Sequence, residues 1–348
     1  MPQATTVKGS VKPFDTFNGQ QVFQFSLTNA HGVTVSALTL GATLYEILLP
    51  NGDNLVLNYH HSADYLANPF YVCMAIGRTG GRIGGGEFPL NGKTVHVPVN
   101  EGSTTLHGGP HGFNSQLWDG EIATHAGQAE IIFRHVQKSS EDGFPGDLDA
   151  EIHYQLSEDD QVNVVFISKS SADTVFNPTL HTYFNLGHDD TIKDHTLQIN
   201  SEQHLAFDDK KVPTGDLIDV DQTPFDFRET ASLGAAIDGM QQTPEKGFDD
   251  LFKVTPAADK RVATLTDTHT GHAVDVLSKR NGLVVFTANS FTHDNMNFKR
   301  SNGTGHPYEG VALEAQTLPD ATKHTGFGNI VLTAGDTTTQ TIGYRLHY

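Results

Sequence analysis

From end to end this chain alternates apolar and polar residues in short runs, and it almost never spaces apolar residues as a helix would. Val22-Phe23-Gln24-Phe25-Ser26-Leu27 and Val33-Thr34-Val35-Ser36-Ala37-Leu38 flank a hairpin-length turn, Thr28-Asn29-Ala30-His31-Gly32. A period of two buries one face of a strand. The same reading predicts strands at 129–136, 150–156, 162–167, 195–199, 262–265, 274–277, 283–288, 311–315 and 339–346, all rich in Val, Ile, Phe and Thr. The 34 glycines and 15 prolines cluster between these segments, where turns need a positive or fixed φ. Only 62–67 and 229–238 read as short helices. Without regular alternation of strands and long helices, a parallel α/β sheet is disfavoured. The expectation is all-β: one large antiparallel β-sandwich, a single domain over residues 1–348.

Charge narrows the partners. With 22 Lys and Arg against 41 Asp and Glu, the chain carries a net charge of −19. Such a surface repels phosphate backbones and anionic lipid, so neither nucleic acid nor membrane is expected as a partner. Cys73 is the single cysteine, which precludes an internal disulfide and favours a reducing compartment. The opening MPQATTVKGSVKPF lacks an apolar signal core, and nowhere do 18 apolar residues run together. A cytoplasmic protein acting on a small molecule, as a monomer or homodimer, is the expectation.

Several tempting motifs fail. The glycines of 76–86 fit GxGxxG in no register, and no helix pattern follows them. Gly92-Lys93-Thr94 resembles the end of a phosphate loop, but Glu87 stands where that loop needs glycine. GxSxG and HExxH are absent. The 19 histidines raise the question of a metal, yet His107 and His111 are separated by Gly108, Gly109 and Pro110, which preclude a helix presenting both on one face. No cofactor and no metal are therefore expected. Asn302-Gly303-Thr304 is a formal glycosylation sequon without relevance in a cytoplasmic protein.

Polar residues in unusual settings mark the candidate chemistry. Arg82 sits among glycines. His107 lies in Leu106-His107-Gly108-Gly109, and His181 lies in Asn177-Pro178-Thr179-Leu180-His181-Thr182-Tyr183-Phe184-Asn185-Leu186. Glu314 interrupts the apolar run Val311-Ala312-Leu313-Glu314-Ala315-Gln316, ahead of Leu318-Pro319-Asp320, and Gly247-Phe248-Asp249-Asp250 is a weaker element. A carboxyl group in an apolar strand is costly and usually has a reason.

The ordered set resembles the aldose 1-epimerase (galactose mutarotase) family. LHGG at 106–109, the NP-T-x-H-x-YFNL pattern at 177–186 and E-x-Q-x-x-PDA at 314–321 carry the resemblance. Gly41-Ala42-Thr43-Leu44, Gly77-Arg78 with Arg82-Ile83, Gly112-Phe113 with Leu117-Trp118, Val212-Pro213-Thr214-Gly215 and Thr223-Pro224-Phe225-Asp226-Phe227-Arg228 support it. The resemblance implies a supersandwich with a carbohydrate cleft, interconverting the α and β anomers of free aldoses such as galactose or glucose. It implies Glu314 as general base, His181 as general acid, His107 assisting at the ring oxygen, and Arg82 and Asp249 holding sugar hydroxyls. Arg78 and Asp250 are the competitors of the last two. Asn185, Gln316 and Asp320 would orient the site.

The pairing suits the reaction. Opening a hemiacetal removes a proton from the anomeric hydroxyl and delivers one to the ring oxygen, each transfer worth about 10²–10⁴-fold. A glycosidase would need two carboxyl groups flanking the bond. Three departures bear on sugar preference: Gly81 where family members often carry Asn, Asp250 where His or Asn is usual, and Val284 where Gln is expected. The alternatives are a maltose epimerase acting on the reducing end of a disaccharide and a non-catalytic sugar-binding homologue.

Overall fold

A computed structural model describes residues 6–125, 127–291, 296–300 and 305–348, so the sequon at Asn302 lies outside the described residues. Alternation becomes strand wherever it was regular. Leu148–Ser157 and Gln161–Ser170 bury every second side chain, and the two pair antiparallel from Leu148↔Ser170 to Leu156↔Val162. Every predicted strand segment lies within or largely over an observed strand. The short helices are Ser62–Leu66, Ser139–Asp142 and Leu233–Gly239. The third begins later than the spacing suggested, because Ser232 caps it: its Oγ accepts the Ala235 N–H at 3.2 Å, leaving 229–232 outside.

Three antiparallel sheets form the body. A nine-stranded sheet runs, in spatial order, Asp119–His125, Gln128–Gln137, Leu148–Ser157, Gln161–Ser170, Thr337–His347, Ala273–Ser278, Arg261–Asp267, His195–Ile199 and Ala231–Ser232. A six-stranded sheet runs Tyr183–Phe184, Val311–Gln316, Gly282–Phe286, Asp249–Val254, Ser201–Phe207 and Pro213–Asp219. A four-stranded meander comprises Lys8–Phe17, Gln20–Thr28, Thr34–Leu38 and Thr43–Leu48.

The nine-stranded sheet backs both others. Phe25 of the meander meets Phe133 edge to face at 5.5 Å, and the Tyr154 hydroxyl donates to the Ala42 carbonyl at 2.5 Å. On the other half, Phe184 packs on Tyr344 at 5.3 Å and Thr182 Oγ1 shares a 2.9 Å hydrogen bond with the Tyr344 hydroxyl. These inward faces form one main apolar core, with a second cluster around Ile83, Phe88, Phe144 and Leu318. The phosphate-loop lookalike is a hairpin turn: Asn91 and Gly92, at φ 51° and 74°, join Glu87–Leu90 to Lys93–His96.

Candidate active site

The inward packing of Thr182 and Phe184 decides where their neighbours go. His181 and Tyr183 must point to the opposite, outer face of the six-stranded sheet. Register extends that face across the strands. Tyr183, Ala312, Phe286 and Asp249 lie opposite one another in one row, and Glu314, Val284 and Leu251 form the next. A cleft of about 240 Å³ lies over these two rows, and Arg82, His107, His181, Asp249 and Glu314 all line it.

The polar groups converge. His181 Nε2 lies 3.4 Å from Glu314 Oε1, and ligating atoms of His107, His181 and Glu314 all fall within 4.8 Å of one another. The His107 ring meets the His181 ring edge-on at 5.3 Å, and His181 stacks on Tyr183 at 4.9 Å. The main-chain N–H of Gly81 donates to His107 Nδ1 at 3.2 Å. The proton of neutral His107 therefore sits on Nε2, which makes that atom a donor. Backbone shape supports this geometry. His107 has φ 52°, and a Cβ on the next residue, Gly108, would fall 1.9 Å from the Gly77 carbonyl oxygen. Only glycine fits there.

Burial sets the protonation. It pushes the Glu314 carboxyl up to about 8, aided by the negative Asp249 and opposed by Arg82. It holds His181 down at about 3 and His107 well below the usual imidazole range. Glu314 Oε2 and His181 Nδ1 are buried without a hydrogen-bond partner among the described residues. This pair is a nearly dry acid–base couple with open valences.

Arg82 and Arg78 part company. Arg82 faces the cleft, its Nε and Nη2 held by Glu101 at 2.6 and 2.8 Å. Arg78 is buried away from it, donating to Asp142 at 2.6 and 3.1 Å and to the carbonyls of Pro145 and Gly146. Asp249 and Asp250 both line the cleft. The Asp250 carboxylate accepts the Asp249 N–H at 3.1 Å, and burial raises it to about 6.

A family model described as aldose 1-epimerase matches residues 24–345. The chain belongs to the aldose 1-epimerase family. A maltose epimerase of Levilactobacillus brevis is 40% identical over 335 residues, covering 95% of this chain and 96% of its own. An aldose 1-epimerase of Streptococcus thermophilus is also 40% identical, over 333 residues, covering 93% of this chain and 94% of its own. The crystal structure of a galactose 1-epimerase from Lactobacillus acidophilus superposes with a TM-score of 0.86 at 25% identity, covering 98% of this chain and 99% of that one.

Within this epimerase frame, the three orienting expectations divide. Asn185 lies elsewhere, donating to the Glu309 and Asp189 carbonyls and bracing the loop after it. Asp320 accepts the Gly84 N–H at 3.3 Å and pairs with Lys323 at 3.2 Å, steadying the glycine-rich segment. Gln316 is fully buried with neither amide atom partnered among the described residues. Glu101, the clamp on Arg82, escaped sequence reasoning, because no local pattern marks it and only tertiary folding brings it there. Lys211, which also lines the cleft and pairs with Glu245 at 2.7 Å, escaped for the same reason.

Two clusters among the described residues have metal-ligand geometry: His107, His181 and Glu314 in the cleft, and the exposed Asp189, Asp194 and His269. In the first, His107 and His181 would each bring one ring nitrogen and Glu314 a carboxylate oxygen, but His107 Nε2 carries the proton in the tautomer fixed by Gly81. A metal there would have to displace that arrangement.

Proposed function

We propose that this chain, acting as one domain over residues 1–348, interconverts the α and β anomers of reducing sugars by ring opening and reclosure. The observation carrying the proposal is the buried Glu314–His181 pair at 3.4 Å, opening on a sugar-sized cleft. The pair works with one shared proton. Burial rests that proton on Glu314; once it crosses the 3.4 Å contact to His181, Glu314 as carboxylate takes the anomeric hydroxyl proton while His181 as imidazolium protonates the ring oxygen, and the C1–O5 bond breaks. Rotation about C1–C2 turns the other carbonyl face to the ring hydroxyl. Glu314 then returns its proton to O1 as His181 withdraws the one on O5, restoring the starting pair. His107 Nε2–H supports the ring oxygen, while Arg82 and Asp249 hold hydroxyls.

Burial disfavours either group bearing a lone charge, so the one-proton pair spans the range from about 3 to about 8. The net charge of −19 and the single cysteine, Cys73, support a cytoplasmic setting. No helix among the described residues is long and apolar enough to cross a membrane.

A second reading, action on the reducing end of a disaccharide, is favoured by the shape of the cleft. Across from Glu314 stands Val284, then Leu251, an uncharged floor leading toward Phe207 and Pro213. Adjoining hollows of about 360 and 480 Å³ share Arg82, Glu101 and Lys211 on one side and Asp249, Phe286 and Ser290 on the other. The likeness to the maltose epimerase supports the same reading. Polarimetry on fresh α-D-galactose, α-D-glucose and maltose tests both. Acceleration of any of these toward equilibrium supports the proposal, the ratio of kcat/KM values ranks the sugars, and binding without acceleration contradicts it.

A further inference from the structure

The outer face of the nine-stranded sheet carries a second hollow, of about 590 Å³, unrelated to the cleft. Its floor exists because Gly343 has no side chain. Gly343 lies in register between Asn163 and Leu277, and a Cβ there would come within 3.0 Å of Asn163 Oδ1 and 3.1 Å of Leu277 Cβ. Its lining includes Lys260, Lys279, Arg280 and Arg345, against the single acid Asp259. In a chain of net charge −19 this is an unusual gathering of cations. Arg345 is already paired with Asp259 at 3.0 Å, so the remaining three lack a counter-charge in the hollow.

Arg280 is the key member. Only 7% of it is exposed, and it donates through Nη1 to the Pro178 carbonyl and through Nη2 to the Ala315 carbonyl at 2.6 Å. Its Nε–H is buried with no acceptor, and no carboxylate among the described residues pairs with it. A guanidinium stays charged in proteins, and one buried without an anion is costly. Burial accordingly lowers it to about 9, with only the Tyr344 hydroxyl acting against that.

We infer that this hollow is a binding site for a phosphate group, seated between Lys260, Lys279 and Arg280. A tetrahedral oxyanion accepts charge-assisted bonds from the two exposed lysines and supplies the counter-charge that the Arg280 guanidinium, whose terminal nitrogens reach the Pro178 and Ala315 carbonyls, lacks. Gln161, Asn163 and Thr341 line the rest of the hollow and suit a hydroxylated substituent on the phosphate.

The test is isothermal titration of the full-length protein at low ionic strength, with inorganic phosphate in one arm and glycerol 3-phosphate in the other. The partner variant is Lys260→Ala with Lys279→Ala, both exposed and outside the catalytic cleft, so folding and mutarotation stay intact. Arg280 itself is left alone, because it also anchors backbone beside Glu314 and ahead of His181. The expected result is millimolar or tighter binding, weakened at least about tenfold in the double variant, one pair of lost charged contacts being ample for that factor. Equal affinity in the two arms identifies the phosphate alone as the ligand group, and tighter glycerol 3-phosphate binding brings in the neutral lining; both support the site. No saturable binding up to about 20 mM, or binding unchanged in the double variant, overturns it.

Discussion

Glu314 is the residue on which the account turns, and its burial has a consequence apart from catalysis. Its carboxyl titrates near 8 in the folded chain and near the ordinary carboxylate value when unfolded. Between those values the folded state holds the extra proton, so this group draws stability down as pH rises, by about 1.4 kcal/mol per pH unit at most. Glu314→Gln removes that titration. The variant should melt several degrees above the parent at pH 8, with the gap closing toward pH 5. Thermal unfolding across pH reads this directly, and a gap that is constant with pH would show that the carboxyl is not desolvated. His181 pulls the opposite way, since its lowered value makes stability fall as pH drops below the usual imidazole range. The two slopes cancel between the ordinary carboxylate and imidazole values, so the pair favours a folded optimum on the acid side of neutrality, with stability falling from there toward pH 8.

At the scale of elements, register places the chemistry. Val284 sits beside Glu314 because Gly282–Phe286 pairs with Val311–Gln316, and that pairing puts an apolar side chain at the centre of the cleft floor. Val284→Gln should crowd the floor with a polar amide and reduce kcat/KM for maltose relative to galactose by about tenfold or more, in line with single-group discrimination in sugar-sized pockets. Competitive rate measurements on the two sugars check this, and an unchanged ratio would remove Val284 from specificity. The segment that carries Arg82 depends on a second buried feature, the Arg78–Asp142 pair, whose side chains are 0% and 1% exposed. Asp142→Asn leaves the guanidinium without its partner and should lower stability by about 3 kcal/mol. At temperatures where the variant is folded, kcat should match the parent, since neither group lines the cleft. Chemical denaturation with parallel kinetics separates the two effects.

For the molecule as a whole, legibility in the sequence followed locality. The regular alternations of 150–156, 162–167 and 339–346 were readable because each strand buries one face and exposes the other. The edge and irregular strands were not: Lys8–Phe17 is exposed along most of its length, and Ser201–Phe207 carries a bulge against Pro213–Asp219. Arg82, His107, His181, Asp249 and Glu314 were each nameable, and the fold brings all five to one cleft. Glu101 and Lys211 were not, because loops carry them there with no motif of their own. The sequence reading expected no metal, yet in the fold His107, His181 and Glu314 come close enough to offer ligation as well as proton transfer. Exhaustive dialysis against a chelator should leave the mutarotation rate unchanged, whereas loss restored by a divalent ion would assign those ligands to a metal. The most direct measurement is the polarimetric rate on the preferred sugar for the parent, Glu314→Gln and His181→Asn, followed across pH. The account predicts a parent kcat/KM that is level near neutrality and declines above about pH 8, with each variant slower by at least about 100-fold. A variant of either residue that keeps the parent's rate while remaining folded would contradict it.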